Sequence, residues 1–257
     1  VRVRAVAGRR VGLAATNDLS PASLQRVSDT ALQMARLAPE APDFLSLPVP
    51  QPIPLAEGFV KATAACTPQQ RARAVGVVCR LTQENGLAAA GAFSVSTVQL
   101  AVSNSLGVFA YAPLTSCDLT TVMLSPDSSG YAGETAMDVR ALDAEKIGRE
   151  AAYKALLSRS PQSVAPGIYP VFLEEYAVAE LVSYLSILGF GALAYQQGRS
   201  FLSNRLGQLI TGANISIWDD GLDPSGLVMP FDYEGMPKGR VDLITAGVAR
   251  GVVHDSA

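Results

Sequence analysis

Apolar and polar residues alternate singly along VRVRAVA, residues 1–7, and after a Gly8-Arg9-Arg10 turn an apolar arm VGLAATN follows, which predicts a β-hairpin. The period then changes. Leu24, Val27, Ala31 and Met34 recur at helical spacing behind Ser20 as N-cap and Pro21 at the first helical position, which predicts a helix that ends before Pro39 and buries this face. Six prolines follow between Pro39 and Pro54, and proline both fixes its own φ and biases the preceding residue toward extended backbone. With Phe44, Leu45, Leu47 and Ile53 among them, this stretch reads as a stiff, ordered crossing rather than a disordered linker. A second helix is predicted from Thr67, its cap, through Pro68 to about Glu84, where Asn85-Gly86 closes it. Short alternating runs come next, separated at Asn104-Ser105-Leu106-Gly107 and at Pro113, the pattern of an antiparallel meander. SSGYAGE reads as a small-residue loop, and Asp143 opens a further helix with Ile147, Ala151 and Leu156 on one side and Arg159 near its end.

Proline and serine accumulate at residues 160–167, which places a domain boundary there: an N-terminal α+β domain over 1–159, and over 160–257 the start of a β-rich C-terminal domain. GIYPVFLE reads as a strand. The run after it, Ala177 to Tyr195, carries only Glu180 as a charge and approaches the roughly 20 apolar residues of a membrane span. Its Ala, Ser and Gly content, and the lack of flanking Lys, Arg and Trp anchors, favour a buried helix over about 176–195 instead. Val178, Leu181, Val182, Leu185 and Leu188 make its stripe, and Glu180 falls off it, toward a cleft or a partner. The class is α+β, with antiparallel sheets and packed helices.

Composition narrows the functions. Of 257 residues, 49% are hydrophobic, enough for a substantial core, and the formal net charge of -3 gives no footprint for nucleic acid. Arg2, Arg4, Arg9 and Arg10 are the only basic cluster, and they read as solvated hairpin positions. Cys66, Cys79 and Cys117 are odd in number and widely spaced, which argues against a disulfide framework and for a reducing, cytoplasmic setting. No signal-peptide core opens the chain, and its strand-like start without Met reads as a cut at its front.

Nucleophilic triads and zinc sites both draw on imidazole, and His254 is the only histidine. Carboxylates cluster at Glu174, Glu175 and Glu180 and again at Asp219, Asp220 and Asp223. The second set has the Asp, Gly and Pro content of a solvated turn and lacks the bidentate glutamate of a calcium loop. Neither GxGxxG after a strand nor a P-loop occurs.

Several stretches together resemble the TldD/PmbA family, proposed modulators of DNA gyrase: GLAATNDLSPASL and ARLAPEAPDFLSLPVPQP in the front half, GRSFLSNRLGQLIT and ISIWDDG behind, and above all PFDYEGMPKGRVDLITAGVARGVVHDS. The resemblance implies a two-domain architecture that continues past residue 257, so the C-terminal part is incomplete. It also implies that active members carry HExxxH on the helix after GIYPVFLE, two histidines ligating zinc and the glutamate acting as general base, with a cysteine far downstream. Here Ala179 and Tyr184 stand at the histidine positions and only Glu180 matches. Alanine has no lone pair to offer, and neutral tyrosine is a poor zinc ligand at neutral pH. LSILGFGALAYQQGRSFL is similar to the PmbA (TldE-like) branch, whose chains pair with TldD-like chains in a zinc protease that cleaves unfolded or extended peptides. The expectation is therefore a pseudoenzyme subunit: no catalytic residue, no metal in this chain, zinc in a TldD-like partner, a peptide substrate, and a homodimer as the state of the isolated chain. The alternatives are an active metallopeptidase using Glu174, Glu175 or Glu180 as unconventional ligands, and a stand-alone scaffold.

Overall fold

The computed structural model describes residues 1–255; Ser256, part of the His-Asp-Ser element, lies outside them. The chain divides into two compact units, Val1–Pro48 with His254–Ala257, and Val49–Val253.

In the first unit β1 (Arg2–Ala7) and β2 (Arg10–Ala15) form the expected hairpin, and Gly8 supplies its turn at φ +66. Helix α1 (Pro21–Leu37) starts as predicted, the Ser20 hydroxyl accepting from the Ser23 amide. Its buried row is Ser23, Val27, Ala31 and Ala35, while Met34 is half exposed, so the expected face is turned slightly. Packing explains the turn: a β-carbon on Gly12 would lie 2.2 Å from both the Ala31 carbonyl oxygen and the Ala35 nitrogen, so β2 meets this helix along its small residues.

In the second unit a short helix α2 (Lys61–Ala64) precedes α3 (Pro68–Glu84), which opens with a full capping box: Thr67 Oγ1 accepts from the Gln70 amide, and Gln70 Oε1 accepts from the Thr67 amide. Strands β3 (Ala88–Ser103), β4 (Phe109–Leu124) and β5 (Ser129–Ala136) form an antiparallel sheet in the order β3-β4-β5, and helix α4 (Ala144–Leu157) packs on it. Two expectations are corrected here. SSGYAGE is no loop but most of β5, because its small residues let a helix settle on it: a β-carbon on Gly130 would sit 2.2 Å from the Ala151 carbonyl oxygen. Pro113 does not divide strands but lies within β4, opposite Gln99. β5 reaches along β4 only as far as Cys117, and the amide of Thr115 turns away from β3 to Gly58, so the proline's missing N–H falls where no strand needs it.

Burial in β4 changes face at that proline. Ala110 and Ala112 pack with Phe231, whereas Cys117, Leu119, Thr121 and Met123 are buried on the opposite face, Leu119 and Met123 against Val78, Leu81, Ile147 and Ala151. One long strand thus serves two cores.

Beyond α4 the expected strand GIYPVFLE is absent. Residues 167–174 carry no regular structure, and Ile168 and Phe172 are fully exposed. Helix α5 (Glu175–Leu188) follows, then α6 (Ala192–Gln196), and a small sheet of β6 (Ile217–Asp220), β7 (Arg240–Thr245) and β8 (Val248–Ala249). Within PFDYEGMPKG the chain makes a tight turn: Asp232 Oδ1 accepts from the Glu234 and Met236 amides, and Gly235 takes φ +82. No helix among the described residues is long and apolar enough to cross a membrane.

Candidate functional site

The three motif positions lie on α5. The expectation of one buried helix over 176–195 is corrected twice. Gly189 ends α5 after Leu188, since a β-carbon there would overlap the Phe201 ring at 2.3 Å, and that ring stacks edge-on against Phe190. And α5 buries no residue: Val178, Leu181, Tyr184, Ile187 and Leu188 are all exposed, with only Tyr176, Val182 and Leu185 partly covered. The physical reason is that no other element of the second unit covers the middle of its apolar surface.

Both ends are fastened. At the C-terminal end Leu185 packs on a core of Phe190, Leu202, Leu243, Ile244 and Ala249. At the N-terminal end a polar network holds the first turn. Lys154 Nζ lies 2.7 Å from both Glu150 Oε1 and Glu174 Oε2 and 4.6 Å from the centre of the Tyr176 ring. The Tyr176 hydroxyl donates to Glu150 Oε1 at 3.1 Å or to the Gly133 carbonyl at 3.2 Å and accepts from the Gly133 amide, while its ring meets Tyr131 edge-on at 5.0 Å. Burial alone would raise the Glu150 carboxyl, yet hydrogen bonds from Lys154 and Tyr176 outweigh it and hold the group below its ordinary range. Burial likewise works against the Lys154 ammonium, but its bonds to Glu150 and Glu174 lift it above the usual lysine value. Burial raises the Tyr176 phenol.

Between these anchors runs an open groove of about 810 Å³ lined by Tyr131, Leu173, Tyr176, Ala177, Ala179, Glu180, Leu181 and Ser183. Ala179 and Glu180 therefore face the same space, and Tyr184, also exposed, lies on the next turn of the helix. This lining is apolar with one carboxylate, suited to holding an extended chain by contact. It does not suit zinc. Ala179 offers no donor, Glu180 stands alone, and among the described residues no group of three His, Cys, Asp or Glu side chains comes close enough to hold a metal. Of the other carboxylates considered, Glu174 is spent on Lys154. Asp220 accepts from the Leu222 amide, and Asp223 takes both the amide and hydroxyl of Ser225, as expected of a turn. His254 is exposed.

Tyr131, Glu150, Lys154 and Tyr176 escape a reading of the sequence. The one local signal is the Glu150–Lys154 spacing on one helix; the tyrosines join it only through tertiary structure.

Residues 166–257 match the family described as PmbA/TldA metallopeptidase C-terminal domain. An uncharacterized protein of Methanocaldococcus jannaschii is 31% identical over 132 residues, which make up 49% of this chain and 31% of that protein. Among solved structures, a Thermotoga maritima protein described as a proposed modulator of a DNA gyrase superposes with a TM-score of 0.85 at 20% identity, over 99% of this chain and 60% of its own. TldE from Thermococcus kodakarensis superposes with a TM-score of 0.82 at 20% identity, over 98% of this chain and 59% of its own. The chain thus spans about 60% of the length of the solved structures it matches. Residues 166–257 therefore carry the sequence signature of that C-terminal domain, and the chain as a whole has the fold of these solved structures.

Proposed function

We propose that this chain is the non-catalytic, TldE-like subunit of a TldD-type zinc metalloprotease complex acting on unfolded or extended peptides. One observation carries the reading: the helix at the motif position presents Ala179 and Glu180 to an open, largely apolar groove, a surface for holding a chain and not for activating water. The partner would supply the zinc and the general base, and this chain would complete the peptide cleft. Three free cysteines suit a cytoplasmic, reducing setting. Residues 160–167 would join the two domains of such a subunit.

The test is reconstitution with a TldD-like chain and an unstructured peptide. Cleavage should need both chains, with zinc in the TldD-like one. Glu180→Gln should leave the rate within a few-fold, because the base lies in the partner. A hundred-fold loss with folding and pairing intact would show that this chain performs chemistry, and tightly held stoichiometric zinc in the isolated chain would sink the reading. Restoring histidine at 179 and 184 together should not create a protease, since a third ligand and groups orienting each imidazole are also required.

A further inference from the structure

The groove beside α5 is one-sided in charge. Residues 160–198 contain no lysine or arginine, while Glu174, Glu175 and Glu180 all fall among them. Of the side chains that line the groove, Glu180 alone is charged. The cation at its head, Lys154, is already held by Glu150 Oε1 and Glu174 Oε2, each at 2.7 Å, and stands over the Tyr176 ring. Glu180 has no such answer. It is exposed, and among the described residues nothing hydrogen-bonds to its carboxylate or pairs with it.

On a wholly polar surface such a group needs no partner, because water serves it. This one stands among Leu173, Ala177, Ala179 and Leu181. A chain that settles on those apolar residues strips water from the carboxylate as well, and a desolvated, unpaired charge is costly. A purely apolar occupant leaves that cost uncompensated, and an acidic one adds repulsion to it. An occupant that brings its own cation avoids both. The lining also suits the shape of a basic side chain. Ala177 and Ser183, at i-3 and i+3 from Glu180 on the same helix, are small and leave room beside the carboxylate, and the apolar residues receive a long methylene stem. Tyr131 adds an exposed ring to the same groove, and its neighbour Tyr176 already carries an ammonium 4.6 Å from its centre.

We propose that Glu180 is a specificity-determining residue: the groove takes an extended peptide with a lysine or arginine between apolar residues, the stem on the apolar lining and the cationic head paired with the Glu180 carboxylate. This rests on the proposed peptide-holding role and names the peptides that role selects.

The test couples a substitution in the peptide to one in the protein. A single lysine, with glutamine as its control, is moved one position at a time along an uncharged, apolar, unstructured peptide, and cleavage is measured with the chain reconstituted with a TldD-like subunit. At one or two adjacent positions lysine should lower KM about three- to fivefold with kcat unmoved, the upper range for an ion pair still open to water. Glu180→Gln should abolish that preference, Glu180→Lys should turn it into a preference for glutamate, and about 0.5 M salt should weaken it. Glu175→Gln, on the same helix but outside the groove lining, should leave most of it. Anisotropy of the labelled peptides on the chain reads the same preference without cleavage, so this inference and the protease reading can fail separately. The proposal is overturned if lysine lowers KM at no position, if the preference survives Glu180→Gln, or if Glu175→Gln removes it equally. Cleavage that continues in those cases leaves the proposed function standing. Glu180→Gln that loosens assembly while the preference persists would make the groove a subunit contact and also overturn the proposal. A fall in kcat of about a hundredfold for every peptide on Glu180→Gln would overturn it together with the proposed function.

Discussion

Helices α4 and α5 are of equal length, 14 residues each, and belong to the same unit, yet their fates differ. α4 buries Ile147, Gly148, Ala151, Ala152 and Ala155; α5 buries nothing although its sequence is the more apolar. α4 approaches its sheet through alanines and glycines, so backbones come close and many small contacts accumulate. α5 presents Val178, Leu181, Ile187 and Leu188 to open space and is held only at its two ends. Apolar periodicity therefore identifies a helix without saying which chain covers it. What marks α4 as internal is small residues facing small residues. What marks α5 as external is large side chains with nothing shaped to receive them.

The sharpest way to break this comparison is at the α4 contact. Gly130→Val puts a branched side chain where even a β-carbon would lie 2.2 Å from the Ala151 carbonyl oxygen and 2.4 Å from the Ala155 nitrogen, both rigid backbone. The cost should be about 3 kcal/mol or more in urea unfolding, at the upper end of overpacking penalties. A loss below about 1 kcal/mol would mean that α4 is held as loosely as α5.

That contact also shows where the sequence was opaque. Features set within a few residues were legible: the Gly8 turn, the Ser20-Pro21 helix start, the Thr67 capping box and the Asn104–Gly107 hairpin each follow from local backbone chemistry. β5 was not, because SSGYAGE is a strand only by virtue of β4 beside it and α4 above it, and its glycines read in isolation as a loop. The reverse error befell GIYPVFLE, whose composition favours a strand but which finds no neighbour to pair with. The motif positions Ala179, Glu180 and Tyr184 came from family resemblance, and the structure gathers the first two along one groove. The tyrosine–lysine network at its head joins residues as far apart in sequence as Tyr131 and Tyr176 and left no trace in the pattern.

A smaller effect is expected at that network. Tyr176→Phe removes the hydroxyl bonded to Glu150 and Gly133 and should cost about 1 kcal/mol, with amide exchange in the first turn of α5 rising more than in α4. Its pH dependence has a definite sign. Glu150 is held below its ordinary value of 4.5, so its contribution is present above that value and fades as pH falls through the lowered one. Lys154 is held above its ordinary 10.5, so its contribution is present below that value and disappears as pH rises through the raised one. The fastening should be firm between these limits and loosen on either side. Exchange in the first turn of α5 that stays flat through the acid limb would sink this account.

The smallest effect on the isolated chain should come from α5 itself, and it sharpens the comparison most. Leu181 is half exposed and lines the groove, so Leu181→Ala leaves no cavity and should change stability by less than about 0.5 kcal/mol. A leucine buried as α4's residues are would cost about 2–5 kcal/mol for the same change. If the uncovered surface of α5 meets a partner chain or a peptide, the missing cost should reappear there: the substitution should weaken assembly with a TldD-like subunit, or raise KM for an unstructured peptide, by about tenfold, as expected for 1–2 kcal/mol of lost apolar burial. Unfolding and binding measured on one preparation separate the outcomes. A small unfolding effect with a large binding effect identifies α5 as surface completed from outside. A large unfolding effect would mean that α5 is covered within its own chain in solution and that the contrast with α4 is false.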